Sequence, residues 1–136
     1  MKLTSPSGRE FNLKNPNKYR IKWGAKSLSK FQFGVKRFLK PYWEQHIVFE
    51  EFPIPQTRMS LDFFNFSMNV AVEVQGAQHL KYNKHFHGNT NYKYLTQLKR
   101  DQYKFDFCEK YGIILVEIYP DDILSEELFE KQGIVL

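Results

Sequence analysis

Apolar residues recur at steps of three and four at Leu28, Phe31, Val35, Phe38, Leu39 and Tyr42. That is the period of an amphipathic helix. Ser27 and Ser29 are both placed to cap its start, and Pro41 marks its end. Lys26, Lys30, Lys36, Arg37 and Lys40 fall largely on its other faces. The period then shortens. Residues 46–54 are rich in Val, Phe and Ile, and Pro53 and Pro55 close the run. Residues 59–66 alternate, with Leu61, Phe63 and Asn65 on one side and Asp62, Phe64 and Phe66 on the other. Residues 70–75 set Val70, Val72 and Val74 against Ala71, Glu73 and Gln75, and Asn69 with its neighbours supplies the turn between these two strands.

Residues 76–91 form a polar loop with Gly76, Gly88, three histidines and three asparagines. A long helix is predicted over 92–111, with Leu95, Leu98, Phe105 and Cys108 as its buried stripe and Gly112 as its stop. Residues 113–118 are continuously apolar apart from Glu117, the pattern of a central buried strand. Pro120-Asp121-Asp122 starts a last short helix. This order predicts an α/β fold, a mixed central β-sheet flanked by helices. Residues 1–26, polar and turn-rich, read as an N-terminal arm, and residues 27–136 as the domain. Within the arm, residues 19–23 read as a short strand or an ordered arm, and their basic side chains equally as a solvated edge.

Composition narrows the classes. A chain of 136 residues suits one domain, and a hydrophobic share of 42% excludes a disordered tail. A formal net charge of +5 favours a polyanionic partner, either nucleic acid or an anionic membrane surface. Cys108 is the single cysteine, which excludes an intrachain disulfide or a thiolate zinc site and points to a reducing cytoplasm. Met1-Lys2-Leu3-Thr4 leads into polar residues, so no signal peptide is expected. No apolar stretch is long enough for a bilayer span, and no membrane association is expected.

The chemistry centres on Asp62 and on Glu73-Val74-Gln75. Side chains alternate with a period of two, so Glu73 and Gln75 share a strand face, and Asp62 on the neighbouring strand lies beside it. Phe64, Phe66 and Ala71 share that face, so the carboxylates stand in an apolar setting, where they need a partner or a metal. Two converging carboxylates suit a hard divalent cation, with the Val74 carbonyl as a third ligand. The alternative is a solvated pair on an amphipathic sheet. Further along, Asp101 and Lys104 are neighbours on one helix face, the ordinary spacing of an exposed ion pair. A lysine there is also placed to reach a phosphate.

Three segments in this order, Leu61-Asp62-Phe63, Val72-Glu73-Val74-Gln75-Gly76-Ala77-Gln78-His79, and Arg100-Asp101-Gln102-Tyr103-Lys104 followed by Gly112-Ile113-Ile114-Leu115-Val116-Glu117, resemble the PD-(D/E)XK nuclease superfamily. The similarity is to its very-short-patch-repair-like branch, which includes phage homing endonucleases. The resemblance implies a restriction-endonuclease-like α-β-β-β-α-β core and a catalytic set of Asp62, Glu73, Gln75, His79 and Asp101. It assigns the metal, Mg²⁺ or Mn²⁺, to Asp62, Glu73 and the Val74 carbonyl. Gln75 stands where most members carry lysine and cannot act as a base, which moves proton transfer to His79. The branch's first-helix glutamate has no counterpart; that region holds Gln32, and Glu51 on the next strand is a substitute.

Lys81, Lys84, Lys99, Arg100 and Lys104 are the expected DNA contacts, joined by His85 and His87 and interleaved with Tyr82, Tyr92 and Tyr94. His79, His85 and His87 lack a further ligand at zinc spacing. The expectation is therefore a metal-dependent endonuclease of duplex DNA, the catalytic domain of a homing-type enzyme acting in the cytoplasm of a bacterial host if phage-encoded. A DNA-reading region beyond Leu136 or a homodimer would supply site recognition. The alternatives are an inactive DNA-binding module on a nuclease fold and a structure-specific or repair nuclease.

Overall fold

The computed structural model describes residues 1–5, 8–76 and 90–136, with side chains of the last stretch from residue 95 onward. The elements run β1 (Lys2–Thr4), β2 (Glu10–Asn12), a 3-10 turn (Pro16–Tyr19), α1 (Lys30–Trp43), β3 (Val48–Pro53), β4 (Ser60–Asn65), β5 (Val70–Val74), α2 (Thr90–Lys110), β6 (Ile114–Ile118) and α3 (Glu126–Glu130). The fold is α/β, as the periodicity predicts. A four-stranded mixed sheet has the order β3-β4-β5-β6, antiparallel except for the parallel β5–β6 pair. A short β1–β2 hairpin stands apart from it.

Each sheet face carries its own core. Val35, Leu39 and Trp43 of α1 pack with Val48, Phe63, Val72, Val116 and Phe129 on one face. Phe107 and Cys108 of α2 pack with Phe52, Phe64, Ala71 and Leu3 on the other. Double burial explains β6. It is apolar apart from Glu117 yet lies at the edge of the sheet, not its centre, because Val116 and Ile118 enter one core while Ile113 enters and Leu115 packs against the other. The β4–β5 turn is set by Asn69, whose left-handed backbone (φ 58°) positions its amide to donate to the carbonyls of Tyr111 and Gly112 at 3.0 and 2.9 Å. That bond ties the hairpin to the end of α2.

Several helix expectations change. Ser29, not Ser27, caps α1 by accepting from the Gln32 amide at 3.1 Å. Leu28 precedes the helix and is 80% exposed. Pro41 lies inside α1, which runs on to Trp43; so close to the end, the ring removes one backbone donor without breaking the helix. Of the stripe expected on α2, Cys108 is buried, but Leu95, Leu98 and Phe105 are exposed, and Phe107 joins Cys108 in the apolar contact. Pro120-Asp121-Asp122 forms a turn in which Asp122 accepts from the Tyr119 amide at 2.7 Å, and the last helix starts after Ser125.

The largest departure is Lys36. It is fully buried, ion-paired to Glu50 at 2.7 Å, and donates to the Ala25 carbonyl at 2.8 Å. Glu50 also accepts from Ser27 and Gln32. This network fastens α1 to the edge strand. Removing one partner of a buried pair leaves an uncompensated charge. Lys36→Ala is expected to lower unfolding free energy by about 3 kcal/mol in urea denaturation. The double change Lys36→Met with Glu50→Gln should lose clearly less.

Candidate active site

The site lies where β4 and β5 part. Their register runs Asn65↔Val70, Phe64↔Ala71, Phe63↔Val72, so Asp62 and Glu73 come next, side by side. There the ladder is replaced by side chains. The Asp62 amide donates to Glu73 Oε2 at 2.7 Å, and the Val74 amide donates to Asp62 Oδ2 at 2.7 Å. In an extended residue N–H and C=O point to the same neighbour, so the Val74 carbonyl faces the fork as well.

A distortion next door explains why the Asp62 amide is free to do this. Glu50 pairs with Phe63 and Phe52 with Leu61, which puts Glu51 across from Asp62, yet that pair is not made. Glu51 has φ 54°, a left-handed conformation that costs a non-glycine residue about 1 kcal/mol or more. Its carboxylate instead accepts from Gln32 at 2.9 Å and from Ser60 at 2.7 Å. The parallel register sets Glu73 beside Glu117. Glu51, Asp62, Glu73 and Glu117 thus form one acidic row across all four strands. Glu117 accepts from the Tyr119 hydroxyl at 3.0 Å, which, after burial, helps push that phenol up to about 12.

Glu73 is 4% exposed and ion-pairs with Lys104 of α2. Burial, and then the nearby Glu73 charge, pushes the Asp62 carboxyl up to about 8. Burial also raises Glu73, against the pull of Lys104. On Lys104 burial works downward, but the contact with Glu73 outweighs it and the ammonium is held charged. Among the described residues the two carboxylates therefore share one ion-paired cation, and the deficit is met either by a proton on Asp62 or by a further positive charge. Asp62 Oδ1 has no hydrogen-bond partner among the described residues, and Asp62 lines a cleft of about 240 Å³ with Arg58, Ser60, Gln97, Arg100 and Lys104. Nearby Cys108 is pushed up to about 12, chiefly by burial, so its thiol stays protonated.

The expected site residues divide. Asp62, Glu73, Val74, Lys104 and Arg100 come together at the cleft. Gln75 follows β5, its amide bonded to the Ile118 carbonyl at 2.8 Å. Asp101 accepts from Gln97 at 2.8 Å instead of pairing with Lys104, whose ammonium goes to Glu73. Lys99 is exposed and does not line the cleft. His79, Lys81, Lys84, His85 and His87 lie outside the described residues. Among those described, no three His, Cys, Asp or Glu side chains approach closely enough to bind a metal unaided. Two carboxylates still suit Mg²⁺, which binds through one or two carboxylates and keeps several waters. Arg58, Ser60 and Gln97 were not expected; counting register from the hairpin turn would have found Glu51 opposite Asp62.

The chain is 29% identical over 100 residues to uncharacterized protein 033L of Invertebrate iridescent virus 3, a match covering 70% of this chain and 51% of that protein. It is 38% identical over 60 residues to uncharacterized protein 094L of Frog virus 3 (isolate Goorha), covering 44% of this chain and 39% of that protein. The chain thus spans about half or less of the length of these curated relatives. No family model and no solved structure matches it. Among the described residues no helix is long and apolar enough to cross a membrane.

The raised Asp62 carboxyl has a consequence for stability without metal. The folded chain keeps that proton up to about pH 8, whereas the unfolded chain releases it near 3.8. Between these values the folded state binds more protons, so stability is full at low pH and falls as pH rises. In EDTA, urea midpoints should drop from pH 5 to pH 8, and Asp62→Asn should flatten that slope.

Proposed function

We propose that the chain is a metal-dependent endonuclease of duplex DNA built on a PD-(D/E)XK-like core. The observation that carries this reading is the Asp62–Glu73 pair, held at a strand fork with, among the described residues, one ion-paired lysine for a half-buried and a buried carboxylate. The surrounding order, α1, three antiparallel strands, α2 and a parallel β6, is compatible with the restriction-endonuclease-like α-β-β-β-α-β core.

Asp62, with Glu73 and the Val74 carbonyl, would hold Mg²⁺ or Mn²⁺. When bound, such a cation supplies Lewis-acid stabilisation of a phosphoryl oxygen and lowers the pKa of coordinated water. The chain's own residues do the rest. Arg58 and Arg100 stand at the mouth of the cleft to fix a phosphate. Lys104 brings to the carboxylate pair the positive charge that Gln75 lacks, and its ammonium would serve as the cation for a phosphate oxygen. Proton transfer is assigned to His79, with Asp101 as its orienting partner. The relatives' viral sources are consistent with a virus-encoded enzyme, whose DNA-reading part would lie in a longer chain or in a second copy.

The second reading, a DNA-binding module on an inactive nuclease fold, is favoured by the Lys104–Glu73 pair, which occupies one carboxylate, and by the uncharged Gln75. Plasmid cleavage separates the two. The nuclease reading expects nicking or cutting with Mg²⁺, none with EDTA, and loss to background in Asp62→Ala. Cleavage by Asp62→Ala at the parent rate would sink the site assignment. Lys104→Ala should slow cleavage about 10²-fold, the usual loss of one transition-state cation or donor.

A further inference from the structure

We propose that a second cleft, on the outer side of β3, is a further binding site for the phosphodiester backbone of DNA, so that the duplex crosses the sheet edge between two clefts. The inference rests on the nuclease reading only for its choice of polyanion.

The cleft follows from how the arm meets the sheet. Arg20 bridges to Phe49, and the Ile21 amide donates to the Val48 carbonyl at 2.9 Å. Ile21 and Trp23 pack against the core, which leaves Arg20 and Lys22 pointing outward. With Lys18 and Lys26 they line a cavity of about 320 Å³. All four are exposed, and none forms an ion pair among the described residues. The cavity's two carboxylates are already engaged: Glu50 with Lys36 at 2.7 Å, and Glu51 with Gln32 and Ser60. Four cations therefore face one carboxylate without a cationic partner, an electrostatic surplus that a polyanion would satisfy. Tyr19 and the 80% exposed Leu28 line the same cavity and add apolar surface that suits sugars and bases.

The position decides for a polymer over a single ion. Glu51 lines this cavity and accepts from Ser60, which lines the cleft of Asp62. One side-chain contact thus separates the two clefts, and one polyanion can lie in both.

The test is binding of a 30-base-pair duplex by Asp62→Asn protein across a NaCl series, followed by fluorescence anisotropy. Changing Lys18, Arg20, Lys22 and Lys26 together to Gln should weaken binding and reduce the slope of log affinity against log salt by about three to four, at roughly 0.9 per phosphate contact. A triple change that spares the bridging Arg20 should reduce it by about two to three and guards against misfolding. An unchanged slope overturns the proposal. So does unaltered DNA binding alongside lost binding to phosphatidylserine vesicles. A parent chain that binds with this slope but does not cleave with Mg²⁺ overturns the nuclease reading and leaves the second site standing.

Discussion

The reciprocal bonds at the strand fork, Asp62 amide to Glu73 and Val74 amide to Asp62, are the constraint around which the site is organised. Each carboxylate takes a backbone donor that the splayed ladder has lost, so the fork leaves those amides paired. In exchange two negative charges are drawn together in a low-dielectric setting. The cores on both faces make that setting unavoidable, since Phe64 and Ala71 share the carboxylates' face. The remaining charge must be met from outside the sheet, and Lys104 of α2 meets half of it.

That demand accounts for the character of α2. A helix covering an acidic row cannot present an apolar stripe along its whole length. Its C-terminal half packs through Phe107 and Cys108, while Gln97, Arg100 and Lys104 turn toward the cleft. The apolar residues that look periodic, Leu95, Leu98 and Phe105, are left exposed. Glu51 follows the same logic. Its left-handed backbone removes a ladder partner from Asp62 and lets its carboxylate link Gln32 of α1 to Ser60 of β4.

Reading by period succeeded where one face of an element dominates. The strand alternation of 59–66 and 70–75 placed Asp62 beside Glu73, and the helical spacing found α1. It failed where two environments compete along one element. Lys36 reads as solvated because lysine seldom enters a core, and its partners Glu50 and the Ala25 carbonyl, both outside α1, make burial tolerable. The apolar run of β6 reads as central, although it is the edge of the described sheet, because layers above and below give both of its faces apolar contacts even where, as at Ile114, the strand is exposed.

The sequence by itself determined the α/β class, the order of the main helices and strands, and the presence of paired acids on one face of two neighbouring strands, because these depend on local periodicity and on the strict alternation of side chains. Only the tertiary structure decided what the charges do. It joined Lys104 to Glu73 across 31 residues of chain, aligned Glu51 and Glu117 with the pair, and left Lys18, Arg20, Lys22 and Lys26 without an ion pair among the described residues. Those outcomes depend on register, crossover and packing between distant elements. Electrostatic energy depends on distance and burial in space, which spacing along a chain does not encode.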